Sequence, residues 1–126
     1  MLKRILTTSA VLAALAGPLA AQAAAAKPQG NDMTLTGTVI DLNCYVAGGA
    51  TGASHKGCAE ACAKAGVQLG ILGSDGTIYV PVSSKPADPT NPRLIPHAEQ
   101  RVKIAGTHRM QNGLHTIEVK TIEAAT

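Results

Sequence analysis

The sequence has 126 residues, 45% of them hydrophobic, and its only aromatic side chains of the Phe, Trp or Tyr type are two tyrosines. Proteins that stack the bases of single-stranded nucleic acid need aromatic surfaces, so the composition excludes that class. The formal net charge is +3, but without Lys3 and Arg4 nine basic and eight acidic residues remain. The rest of the chain is close to neutral, which indicates neither a nucleic acid nor an anionic membrane as partner.

The N-terminal segment has the pattern of a secretory signal peptide. Lys3 and Arg4 precede a short apolar run over 5–16, Gly17-Pro18 interrupts it, and Ala21-Gln22-Ala23 fits a small-x-small cleavage site. The apolar run is shorter than the roughly 20 residues that a membrane-spanning helix needs.

These features divide the chain into three parts. We predict a signal peptide over 1–23, a flexible lead-in over 24–32 and one domain over 33–126. The mature protein is then exported to the periplasm, an oxidising compartment, and keeps no membrane span after cleavage.

The first half of the domain predicts a strand, a helix and a hairpin. TLTGTVIDLNC (34–44) is rich in β-branched residues and predicts a long strand that ends at Cys44. The glycines and alanines of 45–54 predict a mobile loop. GCAEACAKAG (57–66) predicts a short helix with Gly57 as its N-cap. VQLGILGSDGTIYVPV (67–82) predicts a hairpin.

The second half predicts a connector and a longer hairpin. Residues 83–96 carry four prolines and form neither a central strand nor a regular helix. Residues 101–124 alternate around Asn112-Gly113, which favours a two-residue type I′ turn. In that register His108 faces Ile117, Met110 faces His115 and Gln111 faces Leu114. The predicted inner face consists of Val102, Ile104, His108, Met110, His115, Ile117 and Val119.

Five strands, the last two after an irregular crossover, predict a mainly β fold. The arrangement suits a small, partly open five-stranded OB-like barrel with a short cysteine-bearing helix inserted after the first strand. A plain antiparallel sheet with one packed helix is the alternative.

A cysteine–histidine cluster dominates the candidate chemistry, because all three cysteines lie between residues 44 and 62. Cys58 and Cys62 are four residues apart and share one face of the predicted helix. His55 precedes that helix and can fold back over it, and Cys44 ends the first strand. Three thiolates and one imidazole form a tetrahedral Zn(II) set, and the same soft donors suit Cu(I). We predict Cys44, His55, Cys58 and Cys62 as metal ligands.

Two other interpretations of the cysteines stay open. Cys44 can pair with Cys58 or Cys62 as a disulfide, which export favours but which leaves one thiol unpaired. The thiols can also cycle as a redox couple, although cysteines on neighbouring helical turns bond only with strain. Asp41 and Asn43 are candidates either to orient His55 or simply to cap the strand end.

His108 and His115 are predicted diagonal neighbours on the last hairpin, with Met110 beside them. Such a surface can bind copper, or its half-polar side chains can simply fill the mouth of the barrel. The sequence shows no Ser-His-Asp order, no closely paired carboxylates and no phosphate-binding glycine loop. We therefore predict a non-enzymatic binding protein whose partners are a metal ion and a periplasmic or inner-membrane protein.

The segments GTVIDLNCY, HKGCAEACAKAGVQLGIL and GTIYV resemble small exported bacterial proteins with an OB-like barrel and a Cys-Tyr…His-x-x-Cys-x-x-x-Cys core. The resemblance extends over nearly the whole mature chain. It implies the barrel and places Cys44, His55, Cys58 and Cys62 at the motif positions, but it implies no substrate. The closing hairpin also looks like that of the bacterial periplasmic OB-fold family, which lacks the cysteines. The C-x-x-x-C pair with a histidine is similar to the copper motif of cytochrome-oxidase assembly chaperones, in ligand chemistry alone.

Overall fold

The structure of the protein, a computed structural model, describes residues 29–126. The predicted signal peptide over 1–23 and residues 24–28 of the predicted lead-in lie outside the described residues. The first strand begins at Asn31, within the range that the sequence assigned to the lead-in. In the described range, no helix combines the length and the apolar character needed to cross a membrane.

Five strands and three short helices make up the described chain. In chain order they are β1 Asn31–Asp41, α1 Leu42–Gly48, a 3₁₀ turn Ala53–His55, α2 Lys56–Lys64, β2 Leu69–Gly73, β3 Ile78–Pro81, α3 Asn91–Leu94, a 3₁₀ turn Ile95–His97, β4 Arg101–Gln111 and β5 Leu114–Ala124.

The strands close into a barrel in the order β1-β2-β3-β5-β4, with β4 paired back onto β1. Neighbouring strands are antiparallel except β3 and β5, which run parallel. The predicted five-stranded OB-like barrel with a helical insertion after the first strand is confirmed, and the alternative of a plain antiparallel sheet is wrong. Closure gives each strand two partners and leaves no long edge open to pair with other chains.

The last hairpin has the predicted register. Asn112 and Gly113 both have positive φ, 52° and 83°, as a type I′ turn requires. His108 faces Ile117 and Met110 faces His115, as predicted. The alternating pattern did not predict the irregularity between Ala105 and Gly106. A Cβ on Gly106 would collide with the carbonyl oxygen of Glu118, so the bulge requires glycine there.

The core inside the barrel is aliphatic apart from one aromatic ring, that of Tyr79 from β3. Ala63 of α2 and Leu94 of α3 belong to the same cluster, so both helices pack against the barrel. The largest fully buried apolar side chains are Ile40, Leu69, Ile71, Leu94, Ile104, Ile117, Val39 and Val102.

The segment that carries the cysteines is more helical than predicted. The strand predicted to reach Cys44 ends at Asp41, because the Asp41 side chain accepts a hydrogen bond from the Cys44 amide at 2.9 Å and caps α1. Gly49, with φ of 70°, ends that helix. The first four residues of the predicted mobile loop, 45–48, therefore belong to α1. Helix α2 begins at Lys56, so Gly57 lies inside it and is not its N-cap.

Candidate metal centre

Three short elements carry the four predicted ligands. Cys44 lies in the first turn of α1, His55 ends the 3₁₀ turn, and Cys58 and Cys62 lie one turn apart on α2. These elements follow one another between β1 and β2. The chain therefore leaves the barrel at the end of β1 and re-enters it at the same end, at the start of β2. The donor groups thus gather beside the capping residue Asp41.

The side chains form two overlapping groups that share Cys44. The donor atoms of Cys44, His55 and Cys58 all lie within 4.8 Å of one another, and so do those of Asp41, Cys44 and Cys62. Within residues 29–126, no such group contains all four predicted ligands. Ligand atoms bound tetrahedrally to one zinc ion are roughly 3.3 to 3.8 Å apart. The first group needs only small side-chain movements to reach that spacing, whereas Cys62 belongs to the second group.

The imidazole of His55 is held by a buried carboxylate. Its Nδ1 lies 3.0 Å from Oε1 of Glu99, whose side chain is fully buried. The other carboxylate oxygen accepts hydrogen bonds from the Thr51 hydroxyl at 2.7 Å and the Gly52 amide at 2.8 Å. An ionised carboxylate can only accept, so Nδ1 of His55 carries a proton, and in the neutral ring Nε2 presents the lone pair. Histidines that bind metals are oriented by a carboxylate in this way.

Glu99 is ionised despite its burial. Burial alone would raise its pKa, but the hydrogen bonds from His55, Gly52 and Thr51 outweigh burial and lower the pKa below its ordinary value. Its backbone is left-handed, with φ of 58°, which is uncommon for a residue other than glycine. The Glu99 amide donates to the carbonyl of Val39 at 2.7 Å, so β1 fixes the position of the carboxylate.

Of the two predicted roles for Asp41, capping the strand end is the one that the structure supports, because its side chain caps α1 directly after β1. Glu99, not Asp41, orients His55, and Asp41 faces the thiols instead. Asp41 is completely buried, and among the described residues no donor reaches its Oδ2 at hydrogen-bond geometry. A buried carboxylate oxygen without a partner is costly, so this position favours a cation close by.

The same carboxylate disfavours thiolates in the absence of metal. Asp41, then burial, then the Cys58 sulfur raise the pKa of Cys62 to about 11. Burial, followed by Asp41 and Cys58, also raises the pKa of Cys44. Both thiols are therefore protonated at neutral pH in the metal-free protein, and binding of a metal releases those protons.

The site is open to solvent on one side. The Cys58 side chain is exposed, whereas Cys44, Cys62 and His55 are partly buried. All three cysteines are free thiols in the structure. An incoming ion or ligand can reach Cys58 first, without any opening of the barrel.

Asn91 of α3 attaches the end of the cysteine helix to the barrel. Its side-chain amide donates to the carbonyls of Ala63 at 3.1 Å and Val67 at 2.6 Å, and its oxygen accepts from the Leu69 amide at 3.1 Å. These bonds link the last turn of α2, the following loop and β2. No local pattern predicts these bonds, because Asn91 lies in the proline-rich connector, 22 to 28 residues from its partners along the chain.

Glu99 is the residue at the site that the sequence interpretation missed. It is 44 residues from His55 along the chain and stands alone between a proline-rich segment and β4. No local motif connects the two positions. Only the closure of β4 onto β1 brings them together.

Comparison of the chain with protein-family models, with curated proteins and with solved structures gave no match. The resemblance to exported cysteine-containing barrel proteins stays a prediction. A function for the protein has to be inferred from the chemistry of this site.

Proposed function

We propose that the protein is a non-enzymatic, periplasmic metal-binding protein that holds one Zn(II) or Cu(I) ion through Cys44, His55 and Cys58, with Cys62 as a further ligand. The observation that carries the proposal is the close approach of the first three donor atoms. The hydrogen bond from His55 to buried Glu99 supports it, because that bond leaves Nε2 free to bind a metal.

Zn(II) and Cu(I) differ in the number of ligands that they require, so the role of Cys62 distinguishes the two metals. Zn(II) prefers four ligands in a tetrahedron, which requires Cys62 to turn from Asp41 toward the other three. Cu(I) is satisfied by two or three soft donors, which the group of Cys44, His55 and Cys58 already provides. Cys62→Ser should therefore weaken Zn(II) binding strongly and Cu(I) binding little.

Exposure of Cys58 favours transfer of the ion over a purely structural role. A ligand from a partner protein can attack the ion on the exposed side and displace Cys58 first. The buried residues Asp41 and Glu99 stay in place during such an exchange, since they are held by the backbone of α1 and β1. A purely structural ion would instead be enclosed on all sides.

The test is a competition titration of the reduced protein with Zn(II) and Cu(I) against a chromophoric chelator, together with native mass spectrometry. We expect one ion per chain, and loss of that binding in Cys44→Ser, because Cys44 belongs to both groups of donors. Ser54→Ala, at an exposed position of the 3₁₀ turn, is the matched control and should bind as the wild type does.

A disulfide-stabilised interaction module, or a thiol-redox protein, is the second candidate. It is favoured by the same proximity, because the sulfur of Cys44 lies within 4.8 Å of the sulfurs of both Cys58 and Cys62. Protein isolated without reductant would then be two hydrogens lighter, hold no metal and have one free thiol. That result would overturn the metal proposal.

A further inference from the structure

Two histidines on the β4–β5 hairpin form a pair that the cysteine site does not use. Nε2 of His108 lies 3.1 Å from Nδ1 of His115. The two ring planes are within 15° of each other and their centroids are 5.2 Å apart. With the nitrogens in contact, the rings meet edge to edge and not face to face. One ring must donate its N–H to the lone pair of the other.

Tyr79 of β3 fixes both rings. Its ring centroid lies 5.5 Å from that of His108 and 5.6 Å from that of His115, at interplanar angles of 74° and 76°. Tyr79 is buried, with 7% of its surface exposed, and both histidines are partly buried. Both histidine rings therefore pack against a buried aromatic ring, so the pair loses little side-chain entropy when it binds a ligand.

A thioether lies beside the pair. Met110 is two residues from His108 on β4 and directly opposite His115 on β5, so all three side chains project from the same face of the hairpin. Met110 is 58% exposed, which leaves its sulfur free to move. The nearest cation along the strand, Arg109, projects from the opposite face and pairs with Glu118 at 3.2 Å.

We propose that His108, His115 and Met110 form a copper site separate from the cysteine cluster. Two nitrogens bound to one ion at about 2.0 Å are roughly 3 Å apart, which is the separation that the two rings already have. Imidazole and thioether donors together favour copper, which also leads the affinity order of the first-row divalent metals.

Binding requires a proton shift and a small rotation of the rings. The proton between the rings moves through solvent to the other nitrogen of the ring that carried it, so both imidazoles stay neutral and no proton is lost. Each ring then turns about its Cβ–Cγ bond until both lone pairs point at the ion. The Met110 sulfur completes the set for Cu(I).

The test uses tag-free protein in which Cys44, Cys58 and Cys62 are all replaced by Ser, so that the result does not depend on the proposed function. Cu(I) is titrated against bicinchoninate, and Cu(II) binding is followed by electron paramagnetic resonance. We expect one copper per chain, with nitrogen hyperfine structure in the Cu(II) form. His108→Ala and His115→Ala should each weaken binding at least about tenfold, and Met110→Leu should weaken Cu(I) more than Cu(II).

His97→Ala is the matched control, because His97 is a partly buried histidine in the 3₁₀ turn after α3. It should leave copper binding unchanged. If the triple variant does not fold, Cu(I) is titrated into the reduced wild-type protein, and the same histidine substitutions should lower the stoichiometry by one copper per chain. Copper binding that is absent from the folded protein, or that survives both histidine substitutions, would overturn the proposal.

Discussion

The carboxylate of Glu99 is fully buried, and it accepts hydrogen bonds from the His55 ring, the Thr51 hydroxyl and the Gly52 amide. These three donors lie in the segment between α1 and α2, whereas Glu99 precedes β4. One side chain therefore anchors the inserted segment to the barrel and also determines that Nδ1 of His55 is the nitrogen engaged by a carboxylate.

Glu99→Gln should both destabilise the protein and weaken metal binding. A glutamine amide can accept at only one of its two ends, so at least one partly buried donor loses its partner, at a cost of about 1–3 kcal/mol. Loss of the carboxylate that orients His55 should reduce metal affinity about 10- to 100-fold. Urea denaturation and the chelator titration measure the two effects.

Glu60→Gln is the control for that substitution. Glu60 lies on α2 and makes only a long 3.9 Å ion pair with Lys56, so its replacement should change the free energy of unfolding by less than about 0.5 kcal/mol. Equal effects of the two substitutions on metal affinity would contradict the role assigned to Glu99.

The raised pKa of Cys62 predicts that the metal-free, reduced protein loses stability in alkali. The folded state holds the thiol proton up to a pH of about 11, against an ordinary value of 9.0. A raised pKa contributes stability that is present below the unfolded value and is lost as the pH rises through the folded value. The free energy of unfolding should therefore fall between pH 9.0 and about 11.

Cys62→Ser removes the titrating group and should make this decline shallower. It should not abolish the decline, because the pKa of Cys44 is raised as well. Denaturant unfolding curves at several pH values give the slope for each protein. Equal slopes in the variant and the wild type would mean that Asp41 does not face Cys62 in solution.

The attachment of α2 to the barrel depends on Asn91. Asn91→Ala leaves the carbonyls of Ala63 and Val67 and the amide of Leu69 without their side-chain partner, which should lower the free energy of unfolding by about 2 kcal/mol. Asn43→Ala, at an exposed position on α1, should change it by less than about 0.5 kcal/mol. Hydrogen exchange should show faster opening of α2 in the Asn91 variant alone.

The type I′ turn of the last hairpin gives a prediction for glycine. Gly113 has φ of 83°, so Gly113→Ala should cost about 1 kcal/mol in the free energy of unfolding. Gly57 lies inside α2, and a Cβ there meets nothing within 4 Å, so Gly57→Ala should stabilise by about 0.5–1 kcal/mol. Thermal denaturation of both variants checks the opposite signs. A Gly113→Ala variant that is not destabilised would contradict the assigned turn, and a destabilised Gly57→Ala variant would contradict the helix.

The sequence could predict those elements whose pattern lies in neighbouring residues, and it could not predict those that depend on distant contacts. The β4–β5 register followed from Asn112-Gly113 and the alternating pattern, both of which are properties of neighbouring residues. Helix α1 was not predicted, because β-branched residues (38–40) precede it and several glycines (48–52) lie at and after its end. The start of α1 depends on the side chain of Asp41, and in the sequence alone that residue is equally typical of the end of a strand.

The five-stranded OB-like barrel could be predicted from the number and order of strands, but its full closure and the full site could not. The sequence predicted one group of ligands, Cys44, His55, Cys58 and Cys62. Spacing alone cannot show that Cys62 lies in a group with Asp41 and Cys44, and not in the group that contains His55. Glu99 reaches His55 only because β1 pairs with β4 and also forms a parallel bridge from Val39 to Ala98. Contacts of that range leave no local pattern in a single sequence.

The whole molecule is an aliphatic barrel with the proposed site of soft donor atoms at one end, and hydrogen bonds couple the cysteine segment to that barrel. Asp41 and Glu99 each join that site to a strand or strand end through hydrogen bonds. Replacement of either residue should affect both the fold and the metal, whereas replacement of exposed Cys58 should affect the metal alone.

X-ray absorption spectroscopy of the protein loaded with one equivalent of Zn(II), and separately of Cu(I), tests the proposed site most directly. We expect sulfur ligands at about 2.3 Å and one imidazole nitrogen at about 2.0 Å around the zinc, and sulfur with one imidazole around the copper. His55→Ala should remove the nitrogen and keep the sulfurs. An ion surrounded only by oxygen and nitrogen, or a spectrum unchanged by His55→Ala, would contradict the common centre of Cys44, His55 and Cys58.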